Sequence, residues 1–347
     1  MGASQFVHEI LEQPEALRRQ LREGRAAAEA AAKAIRAANP NWVLIAARGS
    51  SDNAARYAQY LLGAHNRLGV ALAVPSLVTL YRSPPSMKGA LVIGISQSGQ
   101  SPDIVSVLEE ARRQGAITLT VTNDPHSPLA KASAHVLPLM AGEERAVAAT
   151  KTYTTELMAL AMLSAALEGN AERWTELEAV PGAVEKVIEL NSEIALSAEK
   201  FKNIRELVVL GRGFNYATAF EVALKIKETS YFIAEPYSVA DLLHGPVAMI
   251  DDGFPVLLVA PSGEALVDVP PLLDLLQRKG ALTIAISDRA DVLERVAIQL
   301  PLPPGIPEWI SPIASVVPGQ LWAHALALAT GQNPDQPRGL TKVTLTR

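Results

Sequence analysis

Hydroxyl and amide side chains follow a short apolar stretch in the first half of the chain. Residues 91–95 are apolar, and the sequence Ser-Gln-Ser-Gly-Gln-Ser at residues 96–101 precedes a helical pattern that starts near Pro102. This order predicts a buried strand, a turn and a helix whose N-terminus points back over the strand end. Backbone N–H groups, the positive end of the helix dipole and three hydroxyls suit a dianionic phosphate. The alternative is an ordinary serine- and glycine-rich loop that only caps its helix.

A second turn of this kind, Gly49-Ser50-Ser51, follows the apolar residues 42–46. Both turns come at the carboxyl ends of predicted parallel strands, where open α/β sheets bind ligands. We therefore expect the two turns to enclose one phosphosugar. A dinucleotide is not expected, because the sequence Gly-Arg-Gly at residues 211–213 lacks the third glycine of that fingerprint, and the chain has no Gly-Lys-Ser/Thr phosphate loop.

The helix predicted over residues 217–230 carries ionisable side chains on one face. Glu221, Lys225 and Glu228 follow each other at spacings of four and three residues. Such a face is often solvated and linked by salt bridges. The functional alternative is a carboxylate base whose basicity is set by the neighbouring lysine.

His244 lies in a tight loop, in the segment Asp-Leu-Leu-His-Gly-Pro at residues 241–246. A single histidine in such a place is often structural, and a catalytic role is the alternative. The six histidines show no metal-ligand spacing, so we expect no metal site.

Strand and helix patterns alternate along the chain and must position these side chains. This alternation predicts an α/β fold with mostly parallel sheets covered by helices on both faces. The expected organisation is a helical arm at residues 1–40, a first α/β domain at 41–180, a linking helix at 181–202, a second α/β domain at 203–330 and a C-terminal tail at 331–347.

The second half of the chain repeats the first. The segment Lys-Gly-Ala-Leu-Thr-Ile-Ala-Ile at residues 279–286 aligns with Gln-Gly-Ala-Ile-Thr-Leu-Thr-Val at 114–121, which predicts two tandem copies of one unit. The copies differ in one informative turn, because Ala-Pro-Ser at 260–262 stands where the first copy has Ser-Gln-Ser. A purely structural requirement would keep the hydroxyls in both copies, so this difference favours a ligand in the first.

Composition narrows the class of protein. The 347 residues are 49% apolar and 19% charged, which is typical of a folded chain with room for two cores. The net charge of −5 and the lack of a basic stripe argue against nucleic-acid binding.

The absence of cysteine excludes disulfides, thiolate metal sites and cysteine nucleophiles. The N-terminus does not have the pattern of a signal peptide, and the apolar residues 157–167 are too few to span a bilayer, so we expect a cytoplasmic protein that binds no membrane.

Six short motifs occur in order over nearly the whole chain, namely His-Glu-Ile-Leu-Glu-Gln-Pro at 8–14, Ser-Gln-Ser-Gly at 96–99, Ala-Thr-Lys-Thr at 149–152, Ala-Leu-Lys-Ile-Lys-Glu at 223–228, Leu-His-Gly-Pro at 243–246, and Asp-Gln-Pro-Arg with Leu-Thr-Lys at 335–342. As a set they resemble the sugar isomerase (SIS) superfamily, and most closely the isomerase portion of glucosamine-6-phosphate synthase. The resemblance implies two tandem SIS domains, each a three-layer α/β/α unit.

The resemblance also implies how the substrate is held. A sugar-contacting position of the family matches Val147. The phosphate-binding positions, with the glycine and serine beside them, match Gly49, Ser50, Ser51, Ser96, Gln97, Ser98 and Ser101.

Catalytic roles follow from the same resemblance. Glu228 matches the base that moves a proton between C1 and C2, with Lys225 beside it. His244 matches a ring-opening histidine that the neighbouring subunit supplies, so a homodimer is expected. Lys342, in a tail that closes the active site, matches a lysine that forms an imine with the open-chain ketose. No metal or organic cofactor is expected.

Departures from the pattern shape the expected activity. The synthase has a glutaminase domain with a cysteine nucleophile, and neither has a counterpart in this sequence. Arg48 stands where the family has a small residue, and Ala149 stands where it has a serine. The sequence Ser-Gly-Gln-Ser-Pro-Asp at 98–103 resembles stand-alone amino-sugar phosphate deaminases of this superfamily. The leading expectation is glucosamine-6-phosphate deaminase. The alternatives are a phosphosugar aldose–ketose isomerase, a fructosamine-6-phosphate deglycase, and a regulator that senses phosphosugars.

Overall fold

The computed structural model describes residues 4–342, which form two compact units. The first unit comprises Glu15–Glu144, Lys151–Ala179 and residues 341–342. The second unit comprises residues 4–14, Arg145–Thr150 and Val180–Leu340. Residues 343–347 of the predicted tail lie outside the described residues, and the predicted domain boundaries stay predictions.

Strands and helices alternate through both units. In the described part of the chain the strands are β1 Trp42–Ala46, β2 Gly69–Leu72, β3 Ala90–Ile95, β4 Ile117–Thr122, β5 His135–Pro138, β6 Glu206–Gly211, β7 Ile233–Ser238, β8 Pro255–Val259, β9 Leu282–Ser287 and β10 Ile298–Pro301. The α-helices are α1 Gln5–Leu11, α2 Gln13–Ala38, α3 Ser50–Asn66, α4 Ser76–Thr79, α5 Pro102–Arg113, α6 Pro128–Ala132, α7 Lys151–Glu168, α8 Ala171–Leu190, α9 Ile194–Ala198, α10 Tyr216–Ser230, α11 Val239–Leu243, α12 Val269–Arg278, α13 Ala290–Leu293 and α14 Ser311–Ala329.

The sheet of the first unit is entirely parallel, in the order β2-β1-β3-β4-β5. Its central strand β3 is a continuous apolar run that is buried throughout, as expected for a strand that helices cover on both faces. The chain order reverses between β1 and β3, which pair from Trp42↔Ala90 to Ala46↔Gly94. The carboxyl ends of these two strands therefore lie side by side at the switch point of the sheet, where ligands of such folds bind.

Helix α5 packs closely on β3, and this contact fixes the start of the helix beside the strand end. A Cβ atom at Gly94 would lie 2.9 Å from a methyl group of Leu108 and 3.1 Å from one of Leu129, so glycine allows this approach without a shift of either side chain. Ile104 and Leu108 of α5 are buried together with Leu44 and Val92 of the sheet.

The second unit has the same architecture. Its sheet is parallel throughout in the order β10-β9-β8-β6-β7, which matches the first sheet when it is counted from β7. Apolar residues of β6, β8 and β9 pack with those of α12 in its core. The predicted fold class, two tandem α/β units with parallel sheets flanked by helices, is confirmed.

The region predicted as one linking helix at 181–202 has a different structure. Helix α8 already begins at Ala171 and continues through Pro181 to Leu190, and a separate short helix α9 follows. The interruption lies at buried Asn191, whose side-chain amide donates to the carbonyl of Val187 at 2.8 Å and to that of the distant Pro301 at 2.9 Å. These bonds satisfy a helix-end carbonyl and end α8 at this point.

Candidate active site

The turn after β3 leaves its hydroxyl protons available. Ser96 Oγ accepts a hydrogen bond from the N–H of Gly99 at 3.1 Å, and Ser98 Oγ accepts one from the N–H of Gln100 at 3.3 Å. Ser101 precedes α5, but its side chain makes no capping bond. Among the described residues, the three serine hydroxyls donate to no protein acceptor. They can therefore all donate to an anion, and the interpretation as a simple helix-capping loop does not fit.

Glycine is required at position 99 of this turn. Gly99 has φ +62°, and a Cβ there would lie 2.1 Å from Ser127 Oγ. The resulting conformation leaves the backbone N–H groups of Gln97, Ser98 and Ser101 without a protein acceptor among the described residues. Amides, hydroxyls and the N-terminus of α5 thus offer donors of the kind that a phosphate dianion accepts.

The equivalent turn of the second unit is filled by the protein's own carboxylates. The N–H and hydroxyl of Ser262 both donate to Asp288 at 2.7 Å. The next amides, those of Glu264 and Ala265, donate to the carboxylate of Glu308 at 2.8 and 3.1 Å. In the first unit the matching amides of Ser98 and Ser101 have no such acceptor among the described residues. This contrast supports an external anion in the first unit.

The turn after β1 contributes a different pattern. Gly49, with φ +56°, precedes α3, and its carbonyl accepts from the N–H groups of Asp52 and Asn53. Ser51 Oγ donates to the buried carboxylate of Glu156 at 2.7 Å. Because its hydroxyl proton is committed to Glu156, Ser51 donates to a phosphate only after this bond has changed.

Helix α10 carries a buried ion-pair cluster. Lys225 Nζ lies 2.5 Å from Glu228 Oε2 and 3.4 Å from Glu221 Oε1. The side chains of Lys225 and Glu221 are fully buried, whereas that of Glu228 is 23% exposed. The interpretation as a solvated salt-bridged face is therefore wrong. A carboxylate that is held by a buried ammonium, but remains accessible, has the arrangement of a positioned base.

Close packing of helix α14 buries this cluster. Gly319 of α14 lies against Val222 of α10, where a Cβ would come within 2.3 Å of a valine methyl group. The hydroxyl of Thr229 donates to the carbonyl of Lys225 at 2.8 Å and to that of Ala323 at 3.3 Å. These contacts hold the part of α10 that carries Lys225 and Glu228 against α14.

His244 lies directly after α11 and is exposed. Its backbone N–H donates to the carbonyl of Asp241, and its ring makes no hydrogen bond with the described residues. Leu243 and Met249, on either side of it, are also exposed. No described contact joins His244 to the cluster on α10.

Lys342 is held by a carboxylate that the sequence did not single out. Its Nζ lies 2.6 Å from Glu144 Oε2, and Glu144 also accepts from the backbone N–H and the hydroxyl of Thr152 at 3.0 and 2.7 Å. Burial alone would raise the pKa of Glu144, but the Lys342 ammonium and these hydrogen bonds outweigh it and hold the pKa below its usual value. The polar character of residues 142–152 is the only sequence signal for Glu144.

A second buried carboxylate shapes the loop around Val147, which is half-buried in the second unit. Glu9 of α1 accepts from the backbone N–H of Arg145 at 2.6 Å and from that of Ala146 at 3.2 Å. Hydrogen bonds from two backbone N–H groups to the Glu9 carboxylate thus maintain the geometry of this short loop. Nothing in the local sequence pattern indicated this role for Glu9.

The candidate residues thus fall into groups within each unit. The turns at residues 49–51 and 96–101 share one sheet edge of the first unit. The ion pair between Lys342 and Glu144 also belongs to the first unit. The second unit holds Lys225 and Glu228 on α10, together with His244 and Val147. Within residues 4–342 no group of His, Asp and Glu side chains is arranged to hold a metal ion. No helix in that range is long and apolar enough to cross a membrane.

Solved structures resemble this chain over nearly its full length. The C-terminal domain of glucosamine-fructose-6-phosphate aminotransferase from Francisella tularensis is 29% identical, with a TM-score of 0.88 over 97% of this chain and 99% of that one. A protein of Silicibacter pomeroyi, provisionally assigned as a phosphosugar isomerase, is 34% identical, with a TM-score of 0.85 over 96% of this chain and 100% of that one.

Sequence comparison gives a consistent result. The isomerizing glutamine–fructose-6-phosphate aminotransferase of Thermococcus kodakarensis is 36% identical over 97% of this chain and 57% of its own length. The chain thus spans little more than half the length of this curated relative. The SIS domain matches at residues 38–166 and again at 200–329, one match for each sheet. The chain therefore belongs to the SIS family and carries its domain twice in tandem.

Proposed function

We propose that the protein is an amino-sugar phosphate deaminase, which converts glucosamine 6-phosphate and water reversibly into fructose 6-phosphate and ammonia. The observation that carries the proposal is the accessible carboxylate of Glu228, held at 2.5 Å by the buried ammonium of Lys225. The aminotransferase relatives act on fructose 6-phosphate by name, which is the product of the proposed reaction.

Glu228 performs the proton transfer. Its carboxylate removes the proton from C2 of the open-chain amino aldose, and the electron pair forms the C1=C2 bond of an enolamine as the C1 oxygen takes up a proton. Return of the proton to C1, with loss of a proton from nitrogen, yields a C2 imine with a hydroxymethyl group at C1. A positioned carboxylate suits this chemistry, since one group accepts the proton at one carbon and donates it to the next.

Hydrolysis of the C2 imine then releases ammonia. Water adds to C2 to give a carbinolamine, and the C–N bond breaks as the nitrogen takes a proton, which leaves the ketone of fructose 6-phosphate. Lys342 assists this half of the reaction. Its Nζ, which lies 2.6 Å from Glu144 Oε2, is the donor that gives a proton to the departing nitrogen.

Substrate binding and ring opening use the remaining candidates. The serine hydroxyls and amides of residues 96–101, with the turn at 49–51, bind the phosphate, and Val147 contacts the sugar. His244 opens the sugar ring in the active site of a neighbouring subunit, so the active form is a homodimer. The exposure of His244 and of Leu243 beside it supports this assignment.

A second candidate is a phosphosugar aldose–ketose isomerase, which the assignment of the Silicibacter pomeroyi protein favours. It requires the same transfer between C1 and C2 but no loss of nitrogen. A deglycase that acts on fructosamine 6-phosphates differs only in the amine released. The three activities are therefore separated by their products.

The test is to incubate the protein with glucosamine 6-phosphate and with fructosamine 6-phosphates, and to measure ammonia and fructose 6-phosphate. Interconversion of glucose 6-phosphate and fructose 6-phosphate without any ammonia would reject the deaminase and support the isomerase. We expect Glu228→Gln to lower kcat by about 10²- to 10⁴-fold while phosphosugar binding is retained. Glu235→Gln, an exposed glutamate of the same unit, is the matched control and should leave kcat unchanged. Full turnover by Glu228→Gln would remove Glu228 from the mechanism.

A further inference from the structure

Arg48 forms an ion pair at the sheet edge where the two phosphate-binding turns meet. Its Nε lies 2.9 Å from Asp103 Oδ2. The partners differ sharply in exposure, because the Asp103 side chain is 1% exposed and that of Arg48 is 52% exposed. The carboxylate is thus a buried anchor, and the guanidinium extends from it into solvent.

The register of the sheet places this pair beside the turn after β3. Ala46 of β1 pairs with Gly94 of β3, so Arg48 and Ser96 both lie two residues beyond paired positions on adjacent parallel strands. Asp103 is the second residue of α5, directly after the turn. The Arg48 side chain therefore crosses from the end of β1 to the start of α5, along the side of residues 96–101.

The guanidinium retains most of its hydrogen-bonding capacity in this position. Asp103 engages Nε, and within the described part of the chain Nη1 and Nη2 donate to no acceptor. Arginine presents its N–H groups in a planar fork that matches two oxygens of a phosphate. Asp103 holds the fork in one orientation, which lowers the entropy lost when a ligand binds.

We propose that Arg48 is a phosphate ligand, which donates through Nη1 and Nη2 to the phosphoryl group bound by the turn at residues 96–101. The proposal rests on the phosphate site of the proposed function. Asp103 is its positioning residue. The site thereby selects dianionic phosphate esters over neutral sugars by a charged contact as well as by hydroxyls and amides.

The binding of inorganic phosphate, measured by calorimetry on the full chain, tests this without any turnover. A hydrogen bond to a charged group typically changes affinity by about 10- to 100-fold, so Arg48→Gln should raise the Kd for phosphate by that factor. With glucosamine 6-phosphate, KM should rise similarly while kcat stays within about twofold. Arg113→Gln, which breaks the exposed pair with Glu110 at the other end of α5, is the matched control and should change neither value.

A double variant separates a direct contact from simple neutralisation of Asp103. In Arg48→Gln/Asp103→Asn no buried carboxylate remains to repel phosphate, yet binding should stay weak if the fork itself is the ligand. Recovery of the wild-type Kd would overturn the proposal, and so would an unchanged Kd in Arg48→Gln with only a lower Tm. Arg48→Lys retains the charge and should lie between the wild type and Arg48→Gln, which provides a test if Arg48→Gln does not fold.

Failure of the Arg48 proposal and failure of the proposed deaminase function give different results in these experiments. If phosphate binding depends on Arg48 but no amino-sugar phosphate is turned over, the deaminase is rejected and the Arg48 assignment stands. If the wild-type protein binds neither inorganic phosphate nor fructose 6-phosphate, the Arg48 assignment falls with the phosphate site.

Discussion

At the scale of single residues, carboxylates hold the two candidate lysines in place. Glu144 holds Lys342 at 2.6 Å, and Glu221 and Glu228 enclose Lys225. The sequence predicted Lys225, Glu228 and Lys342 as candidates. It did not predict Glu144, because a pairing across 198 positions leaves no local pattern to read.

The Glu144–Lys342 pair has a measurable pH dependence. The pKa of Glu144 is held below its ordinary value of 4.5, so its stabilising contribution is complete above pH 4.5 and is lost as the pH falls through the lower folded-state pKa. We expect Glu144→Gln to lower the free energy of unfolding by about 1 to 3 kcal/mol at pH 7.

Urea unfolding of the wild type and of Glu144→Gln between pH 3 and pH 7 checks this. The difference between the two proteins should narrow below pH 4.5. Glu109→Gln, at an exposed site on α5, should show no such narrowing. A constant difference over the whole range would contradict the assigned pKa direction.

At the scale of elements, apolar periodicity predicted most strands and helices well. The strand at residues 42–46 and the start of the helix at Pro102 agree with the prediction. Two helices, α8 and α9, stand where one linking helix was predicted, and the interruption between them lies at Asn191, which bonds to Pro301. Such a long-range bond is not encoded in local periodicity.

The turn after β3 gives a prediction at this scale. Gly99→Ala should raise KM and the Kd for phosphate by about tenfold or more, because it adds a left-handed penalty of about 1–2 kcal/mol and an overlap with Ser127. Gly115→Ala is the matched control, since Gly115 also has positive φ but an added Cβ there would meet nothing within 4 Å.

Thermal unfolding and phosphate calorimetry on both variants separate the two effects. Both should lose stability from backbone strain, and Gly99→Ala should lose more because of its overlap with Ser127. Only Gly99→Ala should lose phosphate affinity. Equal affinities in the two variants would argue against a phosphate site at residues 96–101.

At the scale of the whole molecule, the internal repeat predicted two copies of one parallel-sheet fold, and the structure confirms it. The buried polar groups of the helical core were not predicted. His324 of α14 is fully buried, stacks against Phe6 with ring centroids 6.1 Å apart, and makes no hydrogen bond with the described residues. Its apolar sequence context gave no indication that a titratable group would be enclosed without a hydrogen-bond partner.

His324 should make stability depend on pH. Burial lowers its pKa from 6.5, although the Asp335 carboxylate opposes the shift. Above pH 6.5 the ring is neutral in both states. As the pH falls below 6.5, His324 becomes protonated in the unfolded chain but stays neutral in the folded chain, so the free energy of unfolding decreases.

Unfolding measurements between pH 5 and pH 8 on His324→Leu check this. The variant should lose this component of the pH dependence, because the apolar side chain has no proton to bind. His126→Gln, at an exposed histidine, should keep the wild-type profile. An unchanged profile in His324→Leu would show that another group titrates in this range.

Because of the Glu308 carboxylate, the two copies differ in how their stability depends on the concentration of a ligand. It bonds to the amides of Glu264 and Ala265 within the same chain, so its contribution is independent of any solute concentration. On the proposed function, the amides of Ser98 and Ser101 in the first copy are satisfied by a ligand, whose stabilising effect grows with the logarithm of its concentration. The stability of the first copy then increases with the concentration of phosphosugar. The second copy contains its own anion, so its stability does not depend on that concentration.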